Sequence, residues 1–124
     1  MILGKFVNGR VVVPVSFCLL KSTEVAIDFV VDTGFNNYLT LPAQAVSAMN
    51  LPLYLTTPAR LADGSSVLIP VHIAEINWDN QIISVPVLAT GTKPLLGTAL
   101  LQDFRLTVEF IDSGVVKLEK IISS

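Results

Sequence analysis

Short apolar runs, each closed by two or three turn residues, fill this chain, and that rhythm favours strands joined by tight turns. Asn8-Gly9 lies between Leu3–Val7 and Val11–Val15. An Asn-Gly pair takes positive φ at both central positions of a two-residue hairpin, so the signal is strong. Lys21-Ser22-Thr23 separates the next two runs. Asp79-Asn80 separates Val71–Trp78 from Gln81–Leu88, and Asp112-Ser113-Gly114 separates Phe104–Ile111 from Val115–Ile121. The last pair alternates apolar and polar residues, which predicts one solvated face on each strand. Two stretches read as helix. Pro42–Met49 opens with proline in its first turn and is rich in alanine. Thr98–Asp103 has Thr98 as its expected N-cap. With 124 residues and no linker, the chain predicts one all-β domain over residues 1–124 with one or two short helices.

Composition narrows the partners. Hydrophobic residues make up 52% of the chain and charged residues 15%, against about 25% in an average soluble domain. Either both faces of the strands are buried, or a partner covers apolar surface. A homodimer is the simplest such partner. The net charge is -2 and the eight Lys and Arg are scattered, so no basic stripe exists for nucleic acid. Residues 33–59 carry no charge, but Pro42, Pro52 and Pro58 and many polar residues interrupt them. A membrane helix needs about 20 predominantly apolar residues, so no membrane segment is expected. The N-terminus shows no signal-peptide pattern. Cys18 is the only cysteine, which rules out an intrachain disulfide. The expectation is a cytoplasmic protein.

The chemistry concentrates at Asp32-Thr33-Gly34, which closes the apolar run Val25–Val31. A strand that ends in a carboxylate, a β-branched hydroxyl and a glycine can set an acid at the bottom of a cleft. A second element follows far along the chain, Leu95-Leu96-Gly97, directly before the expected helix at Thr98. Between the two lies Arg60–Ile69, with Asp63-Gly64-Ser65-Ser66 at its centre.

These three elements, in this order, resemble the retropepsin-like aspartic proteases, the single-motif branch of the aspartic peptidases. The resemblance spans most of the chain. It implies a closed acid-protease β-barrel with a pseudo-two-fold, and the sequence carries a loose echo of that symmetry: apolar runs ending in Gly34 and Gly97, each followed by a helix. It implies that Asp32, Thr33 and Gly34 form the catalytic loop. Thr33 is expected to hydrogen-bond across a dimer interface, and Gly34 to give backbone room near the substrate. Leu95, Leu96 and Gly97 are expected to pack beside that loop. A mobile flap is expected over Leu61–Val67, with Ala62, Asp63, Gly64, Ser65 and Ser66 near the substrate. Many relatives have Ala or Ser after the glycine. Phe35 stands there in this chain, and a ring at that position is expected to narrow or reshape the cleft.

Metal-free peptide hydrolysis needs one group to take a proton from water and another to give one to the carbonyl oxygen. Two facing carboxylates that share a proton can do both. One chain carries one Asp-Thr-Gly, so the second acid is expected from a second copy in a two-fold dimer. No cofactor and no metal is expected: one histidine and one cysteine cannot make a zinc site. The substrate is expected to be a peptide or protein.

Plainer readings stand beside this one. Asp32 could simply open a turn. Asp28 is expected to face solvent, and Asp103 to end or follow a helix near the interface. His72 has no partners for a nucleophile-base set, Cys18 reads as a small buried apolar residue, and Trp78 as a packing residue at a strand end. Two non-enzymatic alternatives remain: a retropepsin-fold module that binds peptides without cleaving them, and a plain β-barrel assembly domain.

Overall fold

Both two-residue hairpins form where the turn chemistry places them. A computed structural model describes residues 1–20 and 23–122. Strand β1 (Ile2–Val7) turns into β2 (Arg10–Cys18) through Asn8 and Gly9, with φ of 52° and 76°. Strand β6 (Ser66–Trp78) turns into β7 (Gln81–Ala89) through Asp79 and Asn80, with φ of 51° and 67°. The turn expected at residues 21–23 falls mainly outside the described residues. The remaining elements are β3 (Glu24–Val31), β4 (Leu39–Leu41), α1 (Ala43–Ala48), β5 (Leu53–Arg60), β8 (Leu95–Leu96), α2 (Thr98–Leu101), β9 (Phe104–Val108) and β10 (Gly114–Lys120). The described fold is all-β with two short helices, as the sequence predicts.

The ten strands form one sheet in the order β5-β6-β7-β4-β8-β3-β2-β1-β10-β9, with β6 also paired to β2. Most neighbours are antiparallel. The exceptions sit in the middle, where β3 runs parallel to β8 and β4 parallel to β7. Alternation along each strand sends one set of side chains inward. Val13, Val15 and Phe17 from β2 meet Phe29 from β3, Ile76 from β6, Val85 and Val87 from β7, and Val116 and Leu118 from β10; all are essentially solvent-free. Phe17 and Phe29 stack at 5.9 Å. Trp78 packs edge-on against Phe104 at 5.8 Å, as expected for a packing residue at a strand end.

Four local expectations need correction. The strand expected to run to Ile111 stops at Val108, because a backbone-bonded loop takes over: the N–H of Glu109 donates to Val115 O and that of Ile111 to Glu109 O. Thr98 does not cap α2; Gly97 occupies the cap position, and the Thr98 hydroxyl donates to Phe35 O instead. Cys18 is half-buried rather than buried. The hairpin expected over Leu61–Val67 is longer than that: its first strand, β5, runs from Leu53 to Arg60. Asp28 is exposed, as expected.

Candidate functional site

Asp32 stands just past the end of β3, where backbone bonds from a segment some sixty residues later fix its position. Val30 and Val31 lie beside Leu95 and Leu96 in the parallel β3–β8 ladder. The N–H of Val30 donates to Pro94 O at 3.0 Å, and that of Asp32 to Leu96 O at 2.9 Å. On the other side of β8, Leu39 and Thr40 pair with Leu96 and Leu95. The two sequence motifs, Asp32-Thr33-Gly34 and Leu95-Leu96-Gly97, therefore come together around one short, central strand.

The loop folds back on itself in one turn. The N–H of Phe35 donates to Asp32 O at 3.1 Å, and that of Gly34 to Asp32 Oδ1 at 2.9 Å. One oxygen of the carboxylate is thus oriented by its own loop. Asp32 is half-buried, while Thr33 and Gly34 are exposed.

Gly97 locks the far side of the loop. Its N–H donates to Tyr38 O at 2.9 Å, and those of Thr98 and Ala99 to Phe35 O at 2.8 Å and Asn37 O at 3.2 Å. A side-chain carbon at Gly97 would collide with the carbonyl oxygens of Asn37 and Phe35 and with the Phe35 ring. The strand and loop touch backbone to backbone here, which only glycine permits. The same contact shows where Phe35 goes: its ring lies against Gly97 and is half-buried.

One supporting residue carries no sequence signal. Thr40 is, among the described residues, the buried polar side chain of the core, 5% exposed. Its hydroxyl accepts from the N–H of Leu95 at 3.2 Å and donates to Lys93 O at 3.4 Å. It holds the entry to β8 just ahead of the glycine. A threonine between two leucines reads as an ordinary strand residue, so nothing local marks it.

The third expected element is a hairpin. Strands β5 and β6 pair from Leu53 to Arg60, and the turn closes with the N–H of Leu61 on Ser65 O at 2.8 Å. Gly64 has φ of 88°, a conformation that costs other residues strain. Asp63 Oδ1 accepts from the Ser65 hydroxyl at 2.6 Å and its N–H at 2.9 Å. These two bonds, the hydroxyl first, hold the Asp63 carboxyl below the usual carboxylate range. Strand β7 joins β6 only from Val71 onward. Residues 66–70 and their β5 partners therefore form a two-stranded ribbon, and every residue from Leu61 to Leu68 is exposed. No hydrogen bond described joins this tip to the Asp32 loop.

The other candidates fall away. His72 Nδ1 lies 2.8 Å from Leu51 O, a structural tie. At Cys18, desolvation and then the charges of Glu24 and Glu75 push the thiol up, which suppresses its nucleophilic form. Among the described residues no group of three metal-ligating side chains exists, and no helix is long and apolar enough to cross a membrane. Two cavities of the single chain, of about 350 Å³ on the outer face of β1–β3 and about 510 Å³ beside α1, lack Asp32 in their walls. A scan against protein-family models finds no match, and a search of curated proteins finds no relative.

Proposed function

We propose that this chain is one half of a homodimeric, retropepsin-like aspartic endopeptidase. The single observation that carries the reading is the site's frame. An Asp-Thr-Gly loop at a strand end is bonded to a distant Leu-Leu-Gly element through a parallel ladder and the glycine's close approach. Such a frame fixes an acid while leaving one of its oxygens open. The β2–β6 pairing, through Ser16↔Asn77 and Phe17↔Ile76, supports the finer assignment of a closed acid-protease barrel.

In the dimer, Asp32 faces Asp32 of the partner subunit, and the two carboxyls share one proton because both cannot comfortably ionise side by side. The ionised carboxylate takes a proton from water, and the water oxygen bonds to the peptide carbonyl carbon. The protonated carboxyl gives its proton to the carbonyl oxygen. In the diol one hydroxyl gives its proton to the ionised carboxylate while the protonated carboxyl gives its own to the amine nitrogen; the C–N bond breaks, a carboxylic acid and an amine form, and the pair again holds one proton. Titration belongs to the pair rather than to either residue. Residues 61–67 serve as the flap, closing over the bound peptide. Phe35 supports the loop from beneath, since its ring lies on Gly97.

The test is Asp32→Asn, which keeps the shape but cannot share the proton or act as base. A peptide-library digest across pH is expected to show cleavage by the parent, strongest in acid, and none by the Asn form, with the dimer intact. Cleavage by the Asn form sinks the mechanism. A parent that binds peptide but cleaves none at any pH favours the non-catalytic module.

A further inference from the structure

Neither terminal strand, β1 or β10, lies at an outer edge of the sheet. Strand β1 is flanked by β2 and β10, and β10 by β1 and β9. The sheet's two outer edges are β5 and β9; β9, the one beside the terminal strands, is short and carries Arg105 on its exposed face, a pattern that blocks edge pairing. A partner for Asp32 therefore does not arrive by pairing with β1, β10 or β9.

The strand register points to another surface. Val30 lies opposite Val12, Val12 opposite Lys5, and Lys5 opposite Val115. Val7 pairs with Arg10, and carrying the flanking strands on by two residues reaches Asp32 beside Arg10 and Ser113 beside Val7. With strands about 4.8 Å apart, three steps put Ser113 roughly 14 Å to the side of Asp32. The loop 109–113 therefore stands on the same rim of the sheet as the candidate acid.

That loop is built to present apolar side chains. Phe110 is 70% exposed, Ile111 65% and neighbouring Val7 38%, whereas loops ordinarily face water with polar residues. Its backbone is pinned: Ser113 N–H donates to Phe6 O at 3.1 Å and Gly114 N–H to Ile111 O at 2.8 Å. Phe110 sits edge-on to Phe6 at 5.1 Å. A pre-ordered apolar loop loses little entropy on docking. Asp112 within the loop and Arg10 beside Val7 on β2 are of opposite sign, and among the described residues neither forms an intrachain ion pair. Two-fold symmetry lets each meet the other's counterpart.

Resting on the dimeric reading above, we infer that a second copy of this chain docks on the rim formed by Val7, Arg10, Phe110, Ile111 and Asp112, bringing the partner's Asp32 beside its mate. The terminal strands stay within their own sheet.

Sedimentation equilibrium of the full chain, with cleavage assays at matched concentrations, tests this. Ile111→Glu buries a charge within the interface and is expected to weaken dimerisation about 100-fold or more. Asp112→Arg sets like charges together and is expected to weaken it about 10-fold, and Arg10→Asp combined with Asp112→Arg to restore it to within about 3-fold. The rescue separates an interface from a folding defect. In each weakened variant, activity is expected to return as protein concentration rises. Parent-like dimerisation by both single variants overturns the inference and leaves the catalytic reading standing. A parent that dimerises through this rim but cleaves no peptide keeps the interface and overturns the catalytic reading.

Discussion

The loop at Asp32 and the hairpin tip at Asp63 are both short turns with an aspartate oxygen accepting the N–H two residues on. They differ in everything around that turn. The Asp32 loop is held on both sides by β8 and the start of α2, and Gly97 leaves no space beneath it. The Asp63 tip is held only by its own ribbon, and a side-chain carbon at Gly64 would meet nothing within 4 Å. The same local device thus stands in two settings: in a frame it fixes the direction of a carboxylate, and at the free end of a ribbon it closes an exposed hairpin. Local sequence chooses the turn, and long-range packing decides whether the turn is rigid.

The sharpest contrast is one substitution made in both places. Gly97→Ala forces a carbon into the backbone oxygens of Phe35 and Asn37, which cannot step aside. It is expected to cost at least about 3 kcal/mol and to lower the melting temperature by roughly 10 °C or more. Gly64→Ala meets no neighbour and costs only the strain of a positive φ, about 1–2 kcal/mol. Thermal melts of the two variants check this, and equal losses would erase the distinction. A middle-sized effect is expected at Thr40→Val. That change keeps the shape but leaves the N–H of Leu95 without its acceptor, for a loss of about 1–2 kcal/mol by denaturant titration. No loss there would show that Thr40 is not part of the frame.

The smallest effect concerns the tip alone. The Asp63 carboxylate is favoured by its bonds from Ser65, so its native pKa is depressed. The tie is then fully present above the ordinary carboxylate pKa and is lost as pH falls through the lower native value. The Ser65 amide proton is expected to shift in acid with that depressed midpoint, and Asp63→Asn to remove the titration. A midpoint at or above the ordinary carboxylate value would contradict the tie.

How much was legible follows the same division. The Asn8-Gly9 and Asp79-Asn80 turns were readable because their residues dictate positive φ locally. The Asp32 and Gly97 motifs were readable by residue type and order, but not the parallel two-residue ladder that joins them, since Val30-Val31 and Leu95-Leu96 pair across most of the chain. Thr98 looked like a cap and instead bonds Phe35 O, because the preceding glycine needs the loop close. The alternation through Phe110 and Ile111 continued past the true strand end, which the backbone bonds of Glu109 and Ile111 set. Thr40 had no signal at all.

The central claim is that one site needs Asp32 from two chains. Mixing tests it most directly. Parent protein is held at a fixed concentration at which all chains are dimeric, and Asp32→Asn chain is added and allowed to exchange. Random pairing leaves an ever smaller share of parent chains with a parent partner. Activity per parent chain is expected to fall to about one half at equal amounts and about one tenth at ninefold excess. Activity that stays constant as the Asn chain is added would contradict the account, because each parent chain would then be working alone.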